Sequence, residues 1–170
     1  MEAKTQKTEI ATLAGGCFWG VEELLRSHKG VVSTRVGYTG GSLPGPTYDI
    51  VKTGATGHAE SVEIEFDPKQ LSFEDLLKFF FKLHDPTTLN RQGNDIGTQY
   101  RSAIFYHDEN QKKTAYKVKE LVDKSGAWKR PVVTEIIPAM PFYSAEEYHQ
   151  KYLKKNPGGY TCHFVRDYSF

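Results

Sequence analysis

Residues 9–27 read EIATLAGGCFWGVEELLRS and join a strand to a helix through a pair of glycines. The apolar segment Glu9–Ala14 predicts a first strand, which ends at Gly15 and Gly16 because glycines commonly interrupt regular structure. Apolar residues then recur at helical spacing, so we expect a helix over Phe18–Ser27. The chain therefore turns sharply between two regular elements just before the helix begins.

Cys17 lies at this turn, at the start of the predicted helix. A helix N-terminus offers free N–H groups and about half a positive charge, which favours a thiolate. The two glycines would let the backbone turn and let a substrate approach, and Phe18 and Trp19 would form an apolar wall for a methyl-bearing group. The alternative for any single cysteine is a buried thiol, but the Gly-Gly-Cys-Phe-Trp-Gly context favours a nucleophile.

Outward from this segment, alternation and helical spacing predict the remaining elements. Strands are expected over Val31–Tyr38, Ser61–Phe66, Arg101–Tyr106 and Val132–Ile137. Helices are expected after Ser72 to His84, after Asp108 to near Gly126, and from the capping-box pattern at Ser144–Glu147 to about Leu153. Residues 42–57, with a short helix around Tyr48, and residues 86–100 are expected to be long loops. On one side of the second strand we expect Val32, Thr34, Val36 and Tyr38.

The order of these elements predicts the fold class. Strand, helix, strand, strand, helix, strand is typical of an α+β protein, a two-layer α/β plait whose mixed sheet has a ferredoxin-like core (βαββαβ). A C-terminal helix and an irregular tail follow this core. No repeat or linker divides the chain, so we expect a single catalytic domain over residues 1–170.

Glu60 is the second candidate for chemistry. It shares the parity of Val62, Ile64 and Phe66, so its carboxylate points to the apolar side if the strand extends back to it. Burial raises the pKa of a carboxyl group, and a neutral glutamic acid is both a hydrogen-bond donor and a proton source. The alternative is a glutamate at the strand end that turns to solvent or pairs with an arginine.

Polar residues of the two long loops and of the tail complete the candidate set. Tyr48 and Tyr100 lie in or beside the loops, where a phenol could hold a substrate oxygen or simply pack with its hydroxyl in water. Asp95 lies between two glycines, where an aspartate more often binds backbone N–H groups of its own loop. Cys162 follows Gly158-Gly159, and a mobile cysteine suits attack on an oxidised thiol, the alternative being a docked free thiol.

Composition excludes several classes of function. The 170 residues are 38% hydrophobic and 25% charged with a formal net charge of +1, so we expect neither a nucleic-acid nor a membrane partner. No apolar run approaches the ~20 residues of a membrane span, and residues 1–7 contain no apolar signal core, so a cytoplasmic location is expected. We find no CxxC or HExxH spacing for zinc and no nucleotide-binding loop, and we expect no metal.

One alternative class of enzyme stays open at this point, a Cys-His hydrolase with His58 or His149 as the base.

At this point the sequence resembles the A-type peptide methionine sulfoxide reductases. The nucleophile motif of that family is similar to residues 15–20, and the other matching segments follow in the same order along the chain. These are GYTGG at 37–41, YDIV at 48–51, GHAE at 57–60, GNDIGTQYRS at 93–102 and AEEYHQKYL at 145–153. Many members carry two tail cysteines, whereas Cys162 is the only one here, which resembles the two-cysteine subtype.

The resemblance implies a reaction and its partners. Cys17 would attack the sulfur of methionine S-sulfoxide, free or in oxidised proteins, while Glu60, helped by Tyr48 and Tyr100, protonates the oxygen. The resulting Cys17 sulfenic acid would condense with Cys162, and thioredoxin would reduce the disulfide. It implies no cofactor, and we expect a monomer. The alternatives are the Cys-His acyl-transferase or hydrolase and a non-enzymatic redox sensor.

Overall fold

The computed structural model describes residues 7–170. Its strands are β1 (Glu9–Gly15), β2 (Val31–Thr39), β3 (Ala59–Phe66), β4 (Arg91–Gln92), β5 (Asp95–Ile96), β6 (Ser102–Tyr106), β7 (Glu135–Pro138) and β8 (Tyr143–Ser144). Its helices are α1 (Phe18–Arg26), α2 (Tyr48–Val51), α3 (Phe73–Leu83), α4 (Glu109–Ser125) and α5 (Tyr152–Lys155). Single 3₁₀ turns occupy Thr98–Tyr100 and Glu147–His149. The expected absence of a signal core falls mainly on residues 1–6, outside the described residues, and the single-domain assignment of 1–170 stays a prediction.

The main sheet has the strand order β7-β6-β1-β3-β2-β8. Its four central strands, β6-β1-β3-β2, pair antiparallel, and β7 adds to β6 in parallel. With α1 and α3 as the two crossovers, this is the order of a βαββαβ plait. The α+β class and the mixed sheet predicted from the sequence are therefore confirmed.

The core lies between the sheet and the helices. Inward residues of the central strands pack against the apolar faces of α1, α3 and α4, and they include Leu13, Val36, Val62, Ile64, Leu76 and Phe80, all with no exposed surface. The predicted caps also form, since the Ser72 side chain accepts from the Asp75 N–H and the Asp108 side chain from the Gln111 N–H. Gly126 ends α4 in the left-handed conformation, at φ 77°.

The prediction that Val32 shares the buried face of β2 is wrong. Val32 is 57% exposed, whereas Thr34, Val36 and Tyr38 are buried. An irregularity in the pairing of β2 with β3 between Val31 and Ser33 shifts the register. A shift of one residue sends a side chain to the opposite face, because side chains alternate along a strand.

Two segments differ in extent from the sequence predictions. The stretch 86–100, expected to be a loop, contains the hairpin of β4 and β5 and a 3₁₀ turn, all too short to give a periodic signal. The strand expected over Val132–Ile137 begins only at Glu135, because the Val133 N–H donates to the carbonyl of Pro86 instead of joining the ladder.

The helix expected from Ser144 to Leu153 is wrong. Ser144 pairs with Gly37 in β8, and its hydroxyl accepts from Arg35 instead of capping a helix. A single 3₁₀ turn follows, and Lys151 then breaks the chain direction at φ 52° before α5 begins. The side chain of Gln150 is bound to both backbone groups of Val36, so contacts with β2 replace helical hydrogen bonds. Within residues 7–170, no helix is both long and apolar enough to cross a bilayer.

Candidate active site

The candidate site lies where β1 ends and α1 begins. Cys17 occupies the N-cap position of α1 and is 9% exposed. Gly16 precedes it at φ 103°, a conformation that residues with a side chain rarely adopt. The sharp turn expected from the glycine pair is therefore present.

Both glycines also lie against other parts of the chain, and the expected approach of a substrate to them stays a prediction. A methyl group on Gly15 would contact the rings of Phe80 and His84 at 3.0–3.2 Å. On Gly16 it would lie 2.6 Å from the side chain of Gln92 and 3.1 Å from the ring of His163. The junction is thus closely covered by α3, by the β4–β5 hairpin and by the C-terminal tail.

Glu60 faces the same junction from β3, which begins at Ala59 and so includes it on the inner face. Its side chain is 1% exposed, and its Oε1 accepts from the Phe18 N–H at 3.1 Å. Burial raises the pKa of Glu60 to about 8, although the Phe18 N–H acts in the opposite direction. The group is therefore mostly a neutral acid at neutral pH, with Oε2 free of this bond and able to carry the proton.

Cys17 does not have the lowered pKa expected from its place at a helix start. Burial raises the pKa of the thiol well above its usual range, and the charges of Glu60, Asp95 and Cys162 raise it further. The Trp19 N–H acts in the opposite direction and lowers it. Desolvation is the largest of these causes and outweighs one turn of helix dipole, so the resting thiol is protonated. The charge of Glu60 opposes ionisation of the thiol once the carboxyl has lost its own proton.

Tyr48 and Tyr100 lie near the thiol and the acid. Burial raises the pKa of Tyr48 to about 12, and the charges of Glu60 and Cys17 raise it further. Burial, with the charges of Glu60 and Cys17, also holds the pKa of Tyr100 above its ordinary range. Both phenols therefore stay protonated and can donate hydrogen bonds, and α2 and the 98–100 turn carry them to the site.

Asp95 and Cys162 meet at one edge of the site. The Asp95 Oδ2 lies 4.0 Å from the Cys162 Sγ and accepts from the Tyr160 hydroxyl at 3.2 Å. Asp95 thus contacts the tail instead of the backbone N–H groups of its own loop, and burial raises its pKa. Cys162 is half-buried against the Gln92 carbonyl, with its Sγ 3.9 Å from that oxygen. The two cysteines are both unpaired thiols.

Phe18 and Trp19 occupy different environments. The ring of Phe18 is almost wholly buried and packs on Tyr38 and His149 at centroid distances of 5.7 and 5.2 Å. Trp19 is partly exposed, and its indole stacks on Tyr152 at 3.8 Å. Phe18 therefore belongs to the core at this junction, whereas Trp19 lies at its surface, and their expected contact with a methyl group stays a prediction.

The segment after β8 supplies His149, which the sequence offered only as the base of a Cys-His hydrolase, and Glu146, to which the sequence gave no role. His149 is 1% exposed and its Nδ1 accepts from the Trp19 indole N–H at 2.9 Å. The carboxylate of Glu146 accepts from the Tyr38 hydroxyl at 2.8 Å and from the Tyr48 N–H at 2.9 Å. The matching motif at 145–153 marked this segment, but the partners of its side chains lie about a hundred residues away in the chain.

These contacts leave little support for a Cys-His hydrolase. The Nδ1 of His58 accepts from the Gly41 N–H, and its Nε2 donates to the Leu43 carbonyl at 2.7 Å, so its ring binds the 40–58 loop. The Nδ1 of His149 is occupied by Trp19. Between Lys7 and Phe170, no group of three or more histidine, cysteine, aspartate and glutamate side chains has a metal-binding arrangement. A neutral acid beside a thiol, with two phenols, suits the activation of a polar oxygen on a small substrate.

Comparison with known proteins gives a consistent result. A family model described as "Peptide methionine sulfoxide reductase" matches residues 9–169. The peptide methionine sulfoxide reductase MsrA of Leifsonia xyli subsp. xyli is 56% identical over 159 residues, covering 94% of this chain and 92% of that protein.

Solved structures agree. Mxr1 from Saccharomyces cerevisiae in its reduced form has a TM-score of 0.89 at 41% identity, covering 98% of this chain and 96% of that one. Mxr1 in complex with Trx2 has a TM-score of 0.65 at 28% identity, with coverages of 98% and 96%. The conformation described here is thus more similar to the reduced form than to the complex.

Proposed function

The chain belongs to the peptide methionine sulfoxide reductase family, and we propose that Cys17 carries out its reaction, the thiol-dependent reduction of methionine sulfoxide to methionine. The observation that supports this assignment best is the neutral, buried Glu60 beside a buried thiol. A sulfoxide sulfur is a poor electrophile until its oxygen is protonated or strongly hydrogen-bonded. The A-type resemblance makes the S epimer the proposed substrate, free or in oxidised proteins.

In the proposed reductive step, the sulfur of Cys17 attacks the sulfoxide sulfur while Glu60 gives its proton to the sulfoxide oxygen. Tyr48 and Tyr100 donate hydrogen bonds to that oxygen, and Phe18 and Trp19 hold the S-methyl group. The oxygen passes to Cys17, which becomes a sulfenic acid, and methionine leaves. The thiol proton of Cys17 returns Glu60 to its neutral form, so no proton is consumed. The sulfoxide is reduced by two electrons and Cys17 is oxidised by two.

In the proposed recycling step, the Cys162 thiol attacks the sulfur of the Cys17 sulfenic acid. The S–O bond breaks, the oxygen leaves as water with the thiol proton, and a Cys17–Cys162 disulfide forms. A dithiol then reduces this disulfide and is itself oxidised. The complex of Mxr1 with Trx2 supports thioredoxin as that reductant. The cytoplasm, where thioredoxin keeps thiols reduced, is the proposed setting.

A single-turnover experiment tests this function. The wild-type protein receives one equivalent of methionine S-sulfoxide without reductant and is analysed by mass spectrometry and amino-acid chromatography. We expect one methionine per chain and the loss of two hydrogen atoms, mapped to a Cys17–Cys162 bond. The Cys162→Ser variant should still release one methionine, but thioredoxin should no longer sustain turnover. Methionine release by Cys17→Ser, or unchanged thioredoxin-driven cycling in Cys162→Ser, would contradict the assignment of that residue.

A further inference from the structure

The tail that carries Cys162 has no regular secondary structure but is bound to the body of the protein at several places, of which two lie on either side of Phe164. The backbone N–H of Arg166 donates to the Lys82 carbonyl at 3.0 Å, at the end of α3, and its guanidinium lies 5.0 Å from the ring of Trp128. The second attachment is the ring of His163, the residue next to Cys162, which is 7% exposed. The tail is therefore held on both sides of Phe164.

The His163 ring is bound to the strand that leads to the nucleophile. Its Nε2 lies 2.7 Å from the carbonyl oxygen of Gly15, two residues before Cys17. A carbonyl oxygen only accepts hydrogen bonds, so Nε2 carries the hydrogen and donates it. Burial lowers the pKa of His163 to about 4, so the ring is neutral and keeps this tautomer at neutral pH. The remaining nitrogen, Nδ1, lies 3.9 Å from the Cys162 Sγ.

The first turn of α1 is shaped to receive this ring. A methyl group on Gly20 would overlap the Nδ1 of His163 and lie 2.5 Å from the hydroxyl oxygen of Thr161. Glycine inside a helix costs about 0.5–1 kcal/mol relative to alanine, so its presence at this position needs a packing reason. The contact with residues 161–163 supplies one. The tail thus fits against α1 only because this helix lacks a side chain there.

We propose that His163 is a positioning residue for the resolving step, because its bond to the Gly15 carbonyl holds the tail so that Cys162 is presented to the oxidised Cys17. This inference rests on the proposed function, in which Cys162 resolves the sulfenic acid. A fixed tail raises the local concentration of the resolving thiol, since disulfide formation needs the two sulfurs in contact at a defined angle. The Gly15 carbonyl belongs to the same strand–helix junction as Cys17. The bond from His163 therefore fixes the position of Cys162 relative to the backbone that carries Cys17.

The inference makes a prediction about one step only. His163→Ala removes the N–H donor and should slow formation of the Cys17–Cys162 disulfide roughly 10- to 100-fold, the effect expected when a reacting group is misplaced. Release of methionine in a single turnover should keep its wild-type rate, because the His163 ring contacts glycines of the strand–helix junction and not the side chains proposed to bind the sulfoxide. Turnover with dithiothreitol, which reduces the sulfenic acid directly, should also persist, whereas thioredoxin-driven turnover should fall with the disulfide rate.

A conservative variant separates positioning from a general structural role. The side-chain amide of His163→Gln can donate to the Gly15 carbonyl from nearly the position of Nε2, so this variant should regain most of the disulfide rate. Gly20→Ala keeps the histidine but displaces its ring, so it should slow disulfide formation as His163→Ala does. His28→Ala and His28→Gln serve as controls at a half-buried histidine outside the tail, whose ring bonds to the neighbouring Lys29 carbonyl and packs on Phe79.

Rapid quenching with a thiol-blocking reagent, followed by mass spectrometry, measures both steps in one sample. The wild-type protein is run first, and the absence of a Cys17–Cys162 disulfide there would reject the proposed function of Cys162 independently of His163. With that disulfide observed, a wild-type rate of its formation in His163→Ala would overturn the inference. So would an equal loss of methionine release in His163→Ala, or a His163→Gln variant as slow as His163→Ala.

Discussion

Cys17 and Glu60 form a pair in which each group holds its proton. Burial raises the pKa of both, and the negative charge of Glu60 further disfavours the Cys17 thiolate. Two anions close together in a buried site would be costly, so the resting state that the structure favours is a thiol near a carboxylic acid. In the proposed mechanism this state is suited to a neutral substrate, because one proton passes from the carboxyl to the oxygen and another from the thiol to the carboxyl, without any net charge entering the site.

Replacing Glu60 tests its role as the proton donor. Glu60→Gln keeps the size and a hydrogen-bond donor but cannot give up a proton, so we expect the single-turnover rate of methionine release to fall about 10²- to 10⁴-fold. Glu63→Gln is the matched control, since Glu63 lies on the same strand with its carboxylate paired to Arg35 at the surface. A wild-type rate in Glu60→Gln would remove Glu60 from the mechanism.

The pH dependence follows from the same group. The pKa of Glu60 is raised to about 8, so its acidic form dominates below that value and is lost as the pH rises through it. Burial keeps the pKa of Cys17 still higher, so its ionisation does not compensate in this range. We therefore expect the reductive rate to be level between pH 6 and about 7.5 and to fall about tenfold per unit above pH 8. The Glu60→Gln variant should lack this fall, and a rate that rises from pH 7 to 9 would contradict the assignment.

At the scale of elements, the segment from β8 to α5 is not a continuous helix, and its side chains bind the elements that carry the site residues. Its Glu146 carboxylate holds Tyr38 of β2 and the first N–H of α2, and His149 binds the indole of α1. The Lys151 N–H donates to the buried carboxylate of Glu22 at 2.8 Å. In a regular helix the Lys151 N–H would donate to the carbonyl of Glu147, four residues earlier. The broken conformation leaves this N–H free to bind Glu22 of α1, so one short segment binds three elements.

Position 151 distinguishes the broken segment from a continuous helix. Lys151 has φ 52°, where a residue with a side chain is strained by about 1 kcal/mol and glycine is not. Lys151→Gly should therefore be more stable than Lys151→Ala by about 1 kcal/mol, as measured by urea denaturation. In a continuous helix the order would be reversed by a similar amount, since alanine is the better helix former. The two variants remove the same lysine contacts, so their difference reports on the backbone.

At the scale of the whole molecule, core side chains pack directly against the turn that carries Cys17. Phe80 of α3 is fully buried, lies under Gly15 and packs on the ring of His84 at 4.2 Å. His84 in turn donates from Nδ1 to the Phe80 carbonyl, and its Nε2 lies 2.8 Å from the Ser102 hydroxyl of β6. The turn before Cys17 is therefore supported from below by α3 and β6, and its geometry depends on the folding of the whole sheet.

Removal of Phe80 should weaken the entire fold. We expect Phe80→Ala to lower the free energy of unfolding by about 3–5 kcal/mol, a large part of the total for a domain of this size. Phe79→Ala is the matched control, because the adjacent Phe79 is only partly buried and packs on His28 near the surface. The free energy of unfolding should fall clearly less in Phe79→Ala than in Phe80→Ala. Equal losses in the two variants, measured by urea denaturation, would contradict the packing described here.

The chain alone determined the features that depend on neighbours in sequence. The turn at Gly16, the caps at Ser72 and Asp108 and the inward parity of Glu60 all follow from local spacing and backbone preference. The order of the elements then predicted the plait, because few connections satisfy six such segments.

Only the tertiary structure decided the features whose causes lie far away in the chain. The β-irregularity at Val32, the broken segment around Lys151 and the buried contacts of His149 and His163 depend on partners 32 to 148 residues distant. The raised pKa of Cys17 depends on how many atoms surround it, which no local pattern contains. A helix start by itself favours a thiolate, but burial and the charges converging from β3, the β4–β5 hairpin and the tail reverse that preference, because desolvation and Coulomb energy are properties of the folded molecule.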